Sequence, residues 1–299
     1  MNTKVLLEFF INTLSMGSLY ALIALGLVFV FGICQLINFA YGEFITLSAY
    51  SLYFLGATFL PWPLVFVIGI FTGVAIGFLS ELIAFKPFRG RSLDALLVTS
   101  FAISVILQRI FQLAISPRSK AVPVPDFFYI PVEFFGVTMP LRNYLFIATT
   151  IVLLVILVVI MRYTPLGIAM RGASENFMIA RLMGVPANLI ISIAFIISGF
   201  LAGVVAIFWS ARTGSVEPMM GSIPLLIGFI AVVIGGMHSL PGSVAGGFIY
   251  AFVANILSLT IPTNLLSFRD AFMFVIVIAF LLLKPEGIIR GHYQEVRIG

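Results

Sequence analysis

RGASENFMIARLMGVPANLIISIAFIISGFLAG, residues 171–203, sets a short charged stretch directly against a long apolar one. The run from Asn188 to Ser210 holds no charged residue, and as a helix rising about 1.5 Å per residue it is long enough to cross a hydrocarbon layer about 30 Å thick. In the stretch before it, Met170, Ala173, Phe177, Ala180 and Gly184 recur at helical spacing, while Arg171, Glu175 and Arg181 fall off that stripe. Gly184 supplies a left-handed stop, and Pro186 prevents the same helix from continuing. Thr164 to Asn188 is therefore predicted as a short amphipathic helix wedged between two spans. Two readings stand side by side. Its apolar ridge docks into a groove of a soluble partner, or it lies among lipid headgroups.

The rest of the chain has the same oily character. Of 299 residues, 62% are hydrophobic and 9% charged, with a mean hydropathy of +1.20, far more apolar surface than a soluble core could hide. The net charge of +5 comes from basic residues that mostly flank apolar runs, so membrane topology explains it without a nucleic-acid partner. A single cysteine, Cys34, permits no internal disulfide, and its apolar surroundings suit an inert thiol. Lys4 precedes an apolar stretch as in a signal peptide, but the stretch runs on to about Ile33 without a small-residue cleavage site, so it is read as a retained span.

Nine apolar segments can be marked between charges, prolines and glycines: Glu8 to Ile33, Glu43 to Leu60, Pro63 to Phe85, Leu93 to Ile115, Leu141 to Met161, Asn188 to Ser210, Ile223 to Gly236, Ser243 to Ile261 and Phe268 to Leu283. The seventh is short enough for a half-helix or re-entrant element, and hydropathy leaves open a break in the first near Met16 and Gly17. The expected fold is an all-α, polytopic membrane helix bundle of about eight to ten transmembrane or broken helices, in a single domain over 1–299.

Lys86, Arg89 and Arg91, then Arg162, Arg171 and Arg181, then Lys284, Arg290 and Arg297 concentrate basic charge in three regions, which places those regions and the C-terminus in the cytoplasm. Alternation puts the N-terminus outside, together with a proline-rich loop over about 114–140 that reads as an irregular cap. Leu25 to Phe44 and Ile227 to Phe248 both run from a glycine-bearing helix through a polar turn into a new helix. An internal repeat and chance similarity explain this equally well.

Several polar groups sit at awkward depths. Asn38 and Glu43 flank a glycine at an interfacial break, where they either line the cytoplasmic end of a substrate path or cap a discontinuous helix. Gly235, Gly236 and Gly242 crowd one turn; close helix packing accounts for them, and a helix starting near Ser243 could also attract a carboxylate. His238 reads as a turn residue, because His292 is the only other histidine and no metal cluster joins them. Glu81 and Arg109 need polar neighbours or a route to the interface, and Arg269 and Asp270 can neutralise each other. No catalytic set with enzyme spacing is present, and no G-x-x-x-x-G-K-[ST] loop, so any ATP-driven activity requires another polypeptide.

Separated motifs carry a resemblance. Arg171 to Gly203, quoted above, is similar to the cytoplasmic loop and following helix of LivH-like permease subunits of branched-chain amino acid ABC transporters. GSLYALIALGLVFVFGICQLINFAYGEF (Gly17 to Phe44) resembles that family's first helix and INFAHGE turn, with Tyr41 in the usual histidine position. ELIAFKPFRG (Glu81 to Gly90), VIGGMHSLPGSVAGGFIYAF (Val233 to Phe252) and FRDAFMFVIVIAFLLLKPEGIIRG (Phe268 to Gly291) follow in the family's order. Met237-His238 is a departure in the turn. The resemblance implies a coupling helix in the loop of about 163–188, with Arg171, Ala173, Glu175, Ala180, Arg181 and Gly184 at its positions toward an ATPase subunit. It implies a second homologous permease, two ATPase subunits that bind the ATP and Mg2+, an external or periplasmic binding protein, no cofactor on this chain, and a bacterial or archaeal plasma or inner membrane. The resemblance implies a branched-chain or related small amino acid as the solute; urea, an amide or another small polar solute is the alternative within the class. A stand-alone secondary transporter or channel is the alternative outside it.

Overall fold

The structure is a computed structural model that describes residues 3–35, 37–88, 93–134, 136–175, 177–237, 239–285 and 287–289. Six helices are long and apolar enough to cross a membrane. They are α1 (Thr3–Cys34), α3 (Trp62–Ser80), α4 (Leu93–Ala114), α5 (Leu141–Tyr163), α8 (Ala187–Thr213) and α10 (Leu240–Thr260). A π turn over Glu81–Phe85 and a 3-10 turn over Lys86–Phe88 extend α3. Three more, α2 (Tyr41–Gly56), α9 (Ser222–Gly235) and α11 (Arg269–Leu283), have 16, 14 and 15 residues. At about 1.5 Å per residue they fall short of a full crossing. All nine lie on the expected apolar segments, and α1 runs through Met16 and Gly17 without a break.

The bundle has a centre and a rim. In α1 and α8, 83% and 72% of the most apolar stretch is buried, against 17% in both α4 and α5. The rim exposes Phe101, Ile110, Leu113, Val155 and Val158. Hydrocarbon is the only surrounding that such a surface tolerates, and the chain is a multi-pass membrane protein. In lipid, apolar helices gain little from burying apolar surface against each other, so close backbone approach holds the centre together instead. Gly69, Gly73 and Gly77 of α3 meet Gly203, Gly199 and the Phe195 carbonyl of α8. A Cβ at Gly199 would stand 2.3 Å from the Gly73 oxygen, and one at Gly73 2.4 Å from the Gly199 oxygen.

The two ends differ. At one stand α6 (Pro165–Glu175) and α7 (Phe177–Leu182). At the other, the segment expected to be irregular holds three short strands. β1 (Lys120–Ala121) pairs antiparallel with β4 (Ser215–Val216), and β2 (Pro131–Phe134) with β3 (Val137–Pro140). Arg142 lies 5.2 Å from the Tyr129 ring centre, and both side chains donate to the Ala211 carbonyl. The connection from α8 to α9 is thereby stapled to the cap.

Gly199→Leu forces the α3 and α8 backbones apart and is expected to lower the melting temperature in detergent by about 5 °C or more, following a cost of about 1–3 kcal/mol for overpacking. Gly32→Ala, where a Cβ meets nothing within 4 Å, is expected to leave it unchanged. Thermal unfolding followed by size-exclusion chromatography reads both.

Candidate functional site

The predicted amphipathic segment is helical over α6 and α7, on either side of Asn176. The Thr164 hydroxyl caps α6 by accepting from the Gly167 N–H at 3.2 Å, and Pro165 opens the helix with its fixed φ. At the far end of α7 the Val185 N–H donates to the Ala180 carbonyl at 3.0 Å and the Gly184 N–H to the Arg181 carbonyl at 3.1 Å. Gly184 has φ +83°. This paired closure is a Schellman stop, with Pro186 following as the sequence predicts.

The direction of the stripe differs from the expectation. Met170, Ala173 and Ala180 are 1%, 2% and 5% exposed and belong to the apolar core of the bundle. Ala173 and Ala180 are therefore shut off from any soluble subunit in this arrangement. An apolar stripe beside a bundle of long helices fills the bundle's own groove first. The face left open carries Arg171, Arg181, Leu182 and Met183, the last two 83% and 80% exposed. The Arg171 guanidinium donates to the Met161 carbonyl at the end of α5. Glu175 closes α6; its side chain and Asn176 lie outside the described residues.

The second expected position, around Asn38 and Glu43, is a break deep in the bundle. The Tyr41 ring packs on Gly26, eight residues before α1 ends. Glu43 meets Ser104, midway along α4, so α2 begins inside the bundle. Backbone groups at such depth require partners. The Asn38 carboxamide oxygen accepts from the Ala40 N–H at 3.0 Å, and Ser100 of α4 accepts from the Phe39 N–H at 3.3 Å. Glu43, in the first turn of α2 and 1% exposed, accepts on Oε1 from Ser104 at 3.0 Å and from Gln108 at 2.8 Å. Ser100, Ser104 and Gln108, four residues apart along α4, form one polar ridge against the start of α2.

The start of α9 meets the start of α2 from the other side. The Gly221 N–H donates to the Thr46 hydroxyl at 3.0 Å, which donates to the Gly42 carbonyl at 3.1 Å. A Cβ at Gly221 would stand 1.9 Å from the Gly42 oxygen. The third position gathers Gly235 and Gly242, where a Cβ on either would strike the other's carbonyl, and Gly236 at φ +111°. Ser239 caps α10 by accepting from the Gly242 N–H. The tail after α11 returns here. The Ile288 and Ile289 N–H groups donate to the Ile234 and Gly235 carbonyls at 2.9 and 3.1 Å, with Gly287 against Gly236. His238 lies outside the described residues.

The remaining charges find polar neighbours. Ser192 donates to Glu81 at 3.0 Å, Arg109 to Gln112 at 2.8 Å, and Arg269 pairs with Asp270 at 3.2 Å. Among the described residues no three His, Cys, Asp or Glu gather as a metal site. The Ser100–Ser104–Gln108 ridge and Thr46 were absent from the sequence reading, although the four-residue spacing of polar groups in an apolar span marks the ridge.

Long helices packed through glycine, with two short helices whose starts meet inside the bundle, define a polytopic membrane protein. The chain belongs to the family described as the branched-chain amino acid transport system permease component, whose profile matches residues 9–281. It is 30% identical to the high-affinity branched-chain amino acid transport system permease protein BraD of Pseudomonas aeruginosa over 97% of this chain and 98% of that protein. It is 28% identical to LivH of Escherichia coli over 95% and 96%, and 27% identical to a probable LivH of Methanocaldococcus jannaschii over 94% and 91%. It is a transport permease subunit and not itself catalytic.

Thr46→Val keeps the shape and removes the acceptor for the buried Gly221 N–H, so it is expected to destabilise by about 1–3 kcal/mol. Thr46→Ser keeps the hydroxyl and is expected to lose little. Denaturation of the detergent-solubilised protein compares them.

Proposed function

We propose that this chain is the membrane-spanning permease subunit of an ATP-driven importer for branched-chain or related small amino acids, which an external or periplasmic binding protein delivers. The whole chain works as one transmembrane unit. It pairs with a second permease and two ATPase subunits, which bind the ATP and Mg2+ and carry out hydrolysis. The α6–α7 end and the C-terminus face the cytoplasm of a bacterial or archaeal cell, in the plasma or inner membrane, and the β1–β4 cap faces outside. The relatives' names and the near-complete coverage support the solute class and the importer mechanism.

The observation that carries the coupling role is the two-sidedness of the α6–α7 segment. Met170, Ala173 and Ala180 anchor it in the bundle, while Leu182 and Met183 stand almost fully exposed beside Arg171 and Arg181. A segment gripped on one side and open on the other passes an outside push to the helices as a rigid-body movement. Arg171, Arg181, Leu182 and Met183 form the ATPase-facing surface, with Glu175 assigned to it by the resemblance. Ala173, Ala180 and Gly184 hold its shape.

Replacing Leu182 and Met183 together by Asp is expected to leave membrane insertion intact and to cut the ATPase subunit that co-purifies with the permease about tenfold or more, since buried anchors carry most interface energy. Glu175→Ala is expected to weaken the same association. Unchanged ATPase recovery and stimulated hydrolysis in the double variant would contradict the coupling role.

A further inference from the structure

Glu43 is a buried carboxyl group for which the described residues offer no counter-charge. Its Oε1 takes the hydrogen bonds of Ser104 and Gln108, while Oε2 has no hydrogen-bond partner among the described residues. Among them no Lys, Arg or His side chain is within ion-pair distance of it. Glu43 lies in the first turn of α2, whose helix dipole offsets part of the cost of a buried carboxylate, and two donors fix one oxygen so that the other stays free. An ionisable group at this depth marks a functional site whose partner should be named. Asn38, 2% exposed at the same N-terminus, has its amide oxygen on the Ala40 N–H, and its amide nitrogen likewise has no partner among the described residues.

We propose that Glu43 Oε2 receives the ammonium group of the transported amino acid. The inference rests on the importer reading and adds the recognised group to it. A compact ammonium with three donors satisfies a single carboxylate oxygen. A divalent metal ion would require several further oxygen ligands, and the neighbours on Oε1 are already donating. The Asn38 amide N–H groups and the start of α2 suit the carboxylate end of the same zwitterion. Access comes by displacement of α4. It is among the least buried of the membrane-length helices, and the Ser100, Ser104 and Gln108 contacts, with Phe39 edge-on to Phe101 and Phe111 beside Tyr50, hold it to the start of α2.

The test uses the complete assembly of both permeases, ATPases and binding protein in nanodiscs, turning over ATP, with radiolabelled dicyclohexylcarbodiimide as a probe of buried carboxyl groups. Labelling at Glu43 is expected, and leucine should slow it several-fold while the analogue with hydroxyl in place of the amine does not. Glu43→Gln keeps an acceptor for Ser104 and Gln108 but loses the charge; it is expected to abolish the label and lower leucine uptake about tenfold or more, as loss of one partner of a buried charge pair does. Protection by the hydroxy analogue or by sodium ions alone, absence of labelling in every state, or wild-type uptake by Glu43→Gln would each overturn the ammonium site. If Glu43→Gln does not assemble, the labelling of the unaltered assembly still decides. Failure of the ATPase subunits to associate with the unaltered chain would instead strike the importer reading itself.

Discussion

A backbone that leaves its helix inside a membrane must find a partner for every N–H and C=O, because hydrocarbon offers none. This bundle meets that constraint twice at one place. The chain enters α2 from the α6–α7 end and α9 from the capped end, and the two helix starts touch through Gly42, Gly221 and the Thr46 hydroxyl. That contact fixes α2 and α9 as short helices starting in the interior. It requires glycine on both sides, and it makes α4 contribute a ridge of hydroxyl and amide groups. The centre is polar where the backbone breaks and glycine-packed elsewhere, while the rim is apolar.

The α6–α7 segment stands at one end of the bundle. α6 packs on α5 and α1, and its neighbour α7 leads directly into α8. α8 is in turn locked to α3 through Gly199 and Gly203. The tail after α11 ties the end of α9 through Ile288 and Ile289, so this end of the bundle is braced at two separate points.

Much of this was legible in the sequence. All nine apolar segments became helices because a span announces itself by length and lack of charge, and Gly184 with Pro186 ended α7 because left-handed geometry and a missing N–H act locally. The neutralisation of Arg269 by Asp270 required only adjacency. What failed depended on neighbours distant in sequence. The stripe of Met170, Ala173 and Ala180 was visible, but periodicity does not say whether a stripe faces its own bundle or a partner. The glycines of α3 and α8 recur every fourth residue, yet only the fold shows that they face each other. Asn38 and Glu43 were correctly suspect for their depth, whereas Ser104 and Gln108, which hold Glu43, lie sixty residues away on another span. The likeness of Leu25–Phe44 to Ile227–Phe248 amounts to helix, turn and helix in both. α2 starts deep inside, but α10 starts at its turn under the Ser239 cap.

Proteoliposome uptake, with this chain reconstituted alone and within the full assembly, tests the central claim most directly. Accumulation of leucine is expected only when both permeases, the ATPase subunits, the binding protein and ATP are all present. Solute flux through liposomes that contain this chain alone would contradict it.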